Sequence, residues 1–256
     1  MTNATVSPGD LTSASAAFTA AVSATAPVAL VLRHERMAHL GNLEPVLAEH
    51  GYDVRYVEIA EGESVPGALE PHLVIVLGAS SGVYETEANP YILDELDFLR
   101  ERLAAQRPTL GICFGSQIMA AALGGTVHPG DSVQVGFRDI TPTVAGSASP
   151  VRHFDGVPVL QWHGDTFTLP AEVTLLAGSS DYANEAFGIG NWALAVQWHP
   201  EVTADMHEEW LAADEAYATG SGVTPAALRS DRAANSDAMQ VASRAFLAEW
   251  LDGLDR

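Results

Sequence analysis

The sequence predicts an α/β fold: an open, mostly parallel twisted sheet with helices on both faces, plus an added antiparallel section. Three observations predict it. Short, continuous apolar runs at residues 27–32, 73–77 and 109–112 have the length and composition of strands buried on both faces. Segments with apolar residues at helical spacing lie between those runs, the order expected of βαβ units. Beyond Gly125 the helical spacing lapses, and strand-like segments follow one another between turn residues.

Residues 1–26 are rich in Ala, Ser and Thr and lack both a basic start and a continuous apolar stretch. They read as a disordered or loosely helical leader, not a signal peptide, and one domain is expected over 27–256. The run 27–32 is its first strand. A helix is expected over 36–50, with Leu40, Leu43, Val46 and Leu47 on one face and Gly51 closing it. Residues 53–59 form a second strand. The third, 73–77, ends in the small-residue loop Gly78-Ala79-Ser80-Ser81-Gly82. Ile92, Leu93, Leu96, Leu99 and Leu103 mark a helix over 90–105. A fourth strand, 109–112, leads into a helix over 116–123 that stops at Gly124-Gly125. Strand-like segments follow at 133–143, 157–162, 173–177, 183–187 and 192–197. Helices return over 204–218 and 236–251, joined by a Gly/Ser/Pro-containing connection with one short helical turn.

Composition narrows the function. The 256 residues carry 33 Asp and Glu against 12 cations, all arginine, for a formal charge of −21. Such a charge repels phosphate backbones and anionic lipid, so neither nucleic acid nor a membrane surface is an expected partner. Without lysine there is no phosphate-loop lysine and no Schiff base. A single cysteine excludes an internal disulfide and suits a reducing, cytoplasmic setting. No His-x-x-x-His or His-Glu-x-x-His spacing occurs, so no metal is expected.

The strongest local signal is Thr109-Leu110-Gly111-Ile112-Cys113-Phe114-Gly115-Ser116-Gln117. A strand enters Gly-x-Cys-x-Gly and leaves as a helix, the nucleophile-elbow pattern with cysteine in place of serine. The glycines keep side chains out of a crowded, strained turn. The helix that follows favours a thiolate at its N-terminus. Read alone, the same cysteine could be inert and buried.

A thiolate nucleophile needs a base. His199 ends an apolar strand in Gln197-Trp198-His199-Pro200-Glu201, where Glu201 can turn back to hold the imidazole. His163, in Trp162-His163-Gly164-Asp165-Thr166-Phe167, has an equivalent position with Asp165 as its partner. Spacing alone does not choose between them. The other histidines, His34 among them, lack such contexts and read as surface or packing residues. Oxyanion donors are available from the Phe114 amide and from the small-residue loop at Gly78 to Gly82.

Together these residues resemble the class I glutamine amidotransferases, most of all stand-alone proteins similar to the amidotransferase domain of GMP synthase. The resemblance rests on the Gly111 to Gln117 elbow and, far downstream, on Gln197 to Glu201. Weaker matches extend it from about Val28 to the last helix. It implies the flavodoxin-like fold of that family and a triad of Cys113, His199 and Glu201. It further implies an oxyanion hole from Ala79 and Phe114, and substrate contacts from Gly78, Gln117, His163, Gly164 and Asp165, so that His163 becomes pocket wall. The activity implied is hydrolysis of the side-chain amide of L-glutamine through a γ-glutamyl thioester.

The sequence departs from the family pattern at Gly78-Ala79-Ser80, where two glycines are usual, and at Phe114 and Trp198 beside the catalytic positions. The first change puts the second oxyanion amide in question; the other two could reshape the acyl pocket. No pyrophosphatase loop or Walker A motif occurs, so no cofactor is expected and an ammonia-accepting synthetase would be a separate protein. Hydrolysis of γ-glutamyl peptides or amides would use the same triad. A non-catalytic binding module is the alternative of another class.

Overall fold

The computed structural model describes residues 26–254; the expected leader, residues 1–26, lies outside the described residues except for Ala26. In chain order the strands are β1 (Val28–Arg33), β2 (Asp53–Glu58), β3 (Leu73–Val76), β4 (Thr109–Ile112), β5 (Val127–Arg138), β6 (Thr141–Pro142), β7 (Val159–Phe167), β8 (Thr174–Gly178), β9 (Ala186–Ile189) and β10 (Ala193–Val196). The helices are α1 (Glu44–Glu49), α2 (Tyr91–Ala104), α3 (Phe114–Ala122), α4 (Val144–Ser147), α5 (Ala204–Ala213), α6 (Glu215–Gly220) and α7 (Pro225–Asp252).

The described residues form an eight-stranded sheet in the order β2-β1-β3-β4-β10-β9-β8-β6. The first five strands are mutually parallel, and β9, β8 and β6 extend the sheet antiparallel. Separately, β5 and β7 pair as an antiparallel ribbon. This is the expected parallel sheet with an antiparallel addition.

The two-residue period of the strands sorts the core. Ala29, Val31, Leu73 and Ile75 face one cluster together with α1 and the apolar side of α7. Leu30, Leu32, Val74 and Val76 face the other, with α2 and α3. Side chains are therefore buried on both faces, and what remains reachable is the carboxyl edge of the parallel strands. Ligands of doubly wound sheets bind at that edge, where the strand order reverses; here it reverses at β1 and β3.

Two expectations about elements are corrected. The helix expected over 36–50 shrinks to a short 3-10 turn, Gly41–Leu43, and α1. Gly41 has φ +44°, and a Cβ there would lie 2.3 Å from the Glu201 carbonyl oxygen. Glu35, Met37 and Ala38 instead line a cavity. The connection expected over 219–235 is helical from Pro225 onward, because Thr224 caps α7 and Pro225 occupies its first turn. The early turns of α7 are polar, with Leu228 the buried anchor, so hydrophobic periodicity hid them.

Candidate active site

The elbow has the geometry its glycines imply. Cys113 lies between β4 and α3 at φ +53° and ψ −110°, a strained conformation for a residue with a side chain. Its amide donates to the Val196 carbonyl at 2.9 Å, tying the elbow to the neighbouring strand β10. A Cβ on Gly111 would meet the Gly115 carbonyl oxygen at 2.5 Å, and one on Gly115 would meet that of Val76 at 2.1 Å. Helix α3 thus packs directly on β3 and β4.

Strand β10 delivers His199 to the same edge. The imidazole is buried, and its Nδ1 lies 2.7 Å from Glu201 Oε1. Burial works against protonation, but the charges and hydrogen bonds of Glu201 and Cys113 outweigh it and raise the His199 pKa. Gly78 sits between the two: a Cβ there would be 3.2 Å from His199 Cε1 and 3.7 Å from Cys113 Cβ. Trp210 packs edge-on against the imidazole at 4.8 Å.

His163 has a different environment. Its Nδ1–H donates to the Asp165 carbonyl at 2.9 Å, and Nε2 has no partner among the described residues. Burial pushes its pKa down to about 4, so the ring is neutral. The sign gives a stability prediction. With a folded pKa of about 4 and an ordinary value of 6.5, the unfolded chain binds the extra proton between those pH values. The stabilisation is complete above pH 6.5 and is lost as pH falls toward 4, by about 3 kcal/mol from this residue. Denaturant melts of the wild type and of His163→Gln, compared from pH 7 to 4, should show a shallower acid loss in the variant. Parallel curves would refute the assignment.

Gln117 is buried; its Nε2 donates to Gln197 Oε1 at 3.1 Å and approaches the Asp165 carbonyl at 3.5 Å. Tyr84 donates its hydroxyl to Asp165 Oδ1 at 3.3 Å. Gly164 lies beneath Tyr217 and Val133. Tyr84, Gln117, Val133, Gly164, Asp165 and Tyr217, with Gly78, Ala79, Cys113, His163 and His199, line one cavity of about 450 Å³. Glu35, Glu85, Asp165 and Asp214 line it too, and among the described residues no arginine does. Among the described residues no cluster of three His, Cys, Asp or Glu could hold a metal, and no helix is long and apolar enough to cross a membrane.

The sequence profile described as "Glutamine amidotransferase class-I" matches residues 35–218, most of the chain. The chain belongs to the class I glutamine amidotransferases. A glutamine amidotransferase-like protein of Salmonella typhimurium, YfeJ, is 30% identical over 68% of this chain and 76% of its own length. A glutamine-hydrolysing GMP synthase of Porphyromonas gingivalis is 37% identical over 50% of the chain, a match spanning only 24% of the synthase. Among solved structures, a glutamine amidotransferase from Thermotoga maritima superposes with a TM-score of 0.79. It is 29% identical, and the alignment covers 89% of this chain and 99% of that one. A second, from Methylobacillus flagellatus, has a TM-score of 0.78 at 22% identity over 90% and 96% of the two chains, a likeness of fold alone.

Within this amidotransferase fold the departures at Phe114 and Trp198 leave the pocket untouched. Trp198 is fully buried against Phe154 in one core cluster, and the Phe114 ring lies in the other; neither lines the cavity. Nor does Ala79 strain its loop, since among the described non-glycine residues only Gln106 and Cys113 have positive φ. Sequence reasoning missed His34, which is buried beside the site. The available signal was its place at the end of an apolar strand, the context that singled out His199 and His163. Trp210 and Tyr217 reach the cavity through tertiary packing and carried no sequence signal.

Proposed function

We propose that the protein hydrolyses the side-chain amide of L-glutamine, or another γ-glutamyl amide, through a thioester on Cys113. The observation carrying this reading is the strained Cys113 elbow beside an imidazole whose Nδ1 is held by Glu201 at 2.7 Å. With Nδ1 occupied, Nε2 is left for the sulfur. The thiolate attacks the amide carbon, and the carbonyl electrons move onto oxygen, where the amides of Ala79 and Phe114 receive them. The C–N bond then breaks as His199 gives its proton to the leaving nitrogen, releasing ammonia. Water attacks the thioester, His199 takes its proton, and collapse of the second oxyanion expels the thiolate and frees glutamate. Gln117, His163, Gly164 and Asp165 form the wall for the amino-acid end of the substrate. Ammonia would pass to a separate synthetase.

A glutamine-like chloroketone tests the reading: it should add its mass to wild-type protein at Cys113 and leave Cys113→Ala unlabelled. Labelling elsewhere, or none at all, would leave the chain a binding module on this scaffold.

The cavity favours a second reading within the same chemistry. Its volume of about 450 Å³ falls in the range of about 300–1,000 Å³ typical of pockets for drug-sized ligands. Its four carboxylates have no arginine among the other lining residues. An amine leaving group carrying a further positive charge suits these walls better than a neutral or anionic one. The expected order of kcat/KM is a γ-glutamyl diamine first, then glutamine, then γ-glutamylglycine, with about tenfold between neighbours and a spread that narrows in salt. If γ-glutamylglycine were the fastest of the three, the charge argument would be lost.

A further inference from the structure

His34 is the first residue after β1, and its side chain is almost completely buried. Its two ring nitrogens have two different partners. Nε2 lies 3.0 Å from Glu95 Oε2, and Nδ1 lies 3.2 Å from the Gly78 carbonyl oxygen. Glu95, on α2, is itself fully buried. The ring is fixed laterally by Phe114, edge-on at 4.7 Å, and by Tyr91 at 5.8 Å. Burial opposes a charge on His34, but Glu95, the Gly78 carbonyl and Glu35 outweigh it, so the pKa is raised. A carbonyl oxygen only accepts, so the hydrogen bond to Gly78 needs a proton on Nδ1.

The gripped carbonyl belongs to the residue that lies against Cys113 and His199. In a trans peptide the C=O and the following N–H point in opposite directions, and no cis bond occurs among the described residues. Holding the Gly78 oxygen toward His34 therefore turns the Ala79 N–H the other way. That N–H has no hydrogen-bond partner among the described residues, whereas the next amide, of Ser80, donates to Glu35 Oε1 at 2.8 Å. Two consecutive residues, His34 and Glu35, thus pin the loop on either side of one free donor.

We propose that His34, anchored by buried Glu95, is a positioning residue that grips the Gly78 carbonyl and so aims the Ala79 amide at the oxyanion formed on Cys113. This rests on the amide-hydrolysis reading above. It also gives the Gly-Ala-Ser loop a preformed donor without a second glycine.

The test separates oxyanion stabilisation from general integrity of the site. His34→Ala should lower kcat for a γ-glutamyl amide by about 10²-fold, the scale of one lost oxyanion donor, with KM within about threefold. His34→Asn, whose amide nitrogen can reach the Nδ1 position, should restore kcat to within about tenfold of wild type. Alkylation of Cys113 by iodoacetamide displaces iodide from saturated carbon and forms no oxyanion, so its rate should not change in either variant. A kcat for His34→Ala within threefold of wild type overturns the proposal, as does alkylation that falls in parallel with kcat. Should His34→Ala fail to fold, Glu95→Gln takes its place. Loss of the anchor at Nε2 should lower kcat by at least about tenfold with the alkylation rate unchanged, and a kcat within threefold of wild type overturns the proposal. Nitrogen-15 spectra of wild-type histidine at pH 7 provide a readout independent of turnover. The His34 Nδ1 should carry a proton, and an unprotonated Nδ1 refutes the latch whatever the reaction. A protonated Nδ1 in a protein whose Cys113 cannot be acylated would refute the reaction reading alone.

Discussion

Cys113→Ala is expected to remove amide hydrolysis almost entirely, by about 10⁶-fold in kcat, the scale seen when a triad nucleophile is deleted. The chain has no second thiol that could substitute. Loss of either partner should cost less than loss of the nucleophile. His199→Ala removes the proton carrier for both halves of the reaction and should slow acylation by about 10²–10⁴-fold. Glu201→Gln leaves the ring in place but replaces the acceptor at 2.7 Å from Nδ1, and should lower kcat by up to about 10⁴-fold by favouring the wrong tautomer. Because the three groups act as one unit, a Cys113→Ala, His199→Ala double variant should be no worse than Cys113→Ala alone. His163→Gln should keep most of kcat, since a ring with its pKa pushed down to about 4 and its Nδ1–H committed to a carbonyl is poorly suited to carry protons. Single-turnover acylation monitored by mass would rank them. A His163 variant slower than the His199 variant would reverse the assignment of the base.

The sequence was informative wherever one residue type has one physical use. Gly111 and Gly115 were legible because a nucleophile on a strand-to-helix turn leaves no room for a side chain, and the contacts at 2.5 Å and 2.1 Å bear that out. The parallel strands were legible because burial on both faces demands unbroken apolar runs. The polar half of α7 and the His34–Glu95 pair were not. A capped, polar helix has no apolar stripe to detect, and a histidine 61 positions from its carboxylate meets it only when α2 packs over β1. His199 and Glu201 are two residues apart, and so could be paired before any fold was known. Chemistry built from local turns could be read in the chain; chemistry built from packing needed coordinates. The acidic charge belongs to the second kind. Its total of −21 said nothing of the site, yet four of those carboxylates meet around one cavity.

Gly115→Ala should be among the most destabilising single changes in the protein, by more than about 4 kcal/mol, the range reserved for severe overpacking or backbone clash. The methyl would lie 2.1 Å from the Val76 carbonyl oxygen, 2.8 Å from its carbonyl carbon and 3.0 Å from its Cβ. No side chain can rotate away to make room, since two of the three atoms are backbone. Neither can the strand yield, because β3 is hydrogen-bonded between β1 and β4. Relief requires α3 to lift off the sheet, and α3 begins one residue after Cys113. Stability and activity are thus coupled through one contact: the shift that accommodates the methyl carries the sulfur away from His199. At about 2–4 °C per kcal/mol for a domain of this size, the melting temperature should fall by roughly 10 °C, with kcat reduced even in the folded fraction. Gly220→Ala is the matched control. It sits at the end of α6 with ordinary φ and nothing within 4 Å of the added carbon, so its melting temperature should stay close to that of the wild type. Equal melting temperatures for the two variants would show that α3 does not rest on Val76, and the elbow's position over the sheet would need another cause.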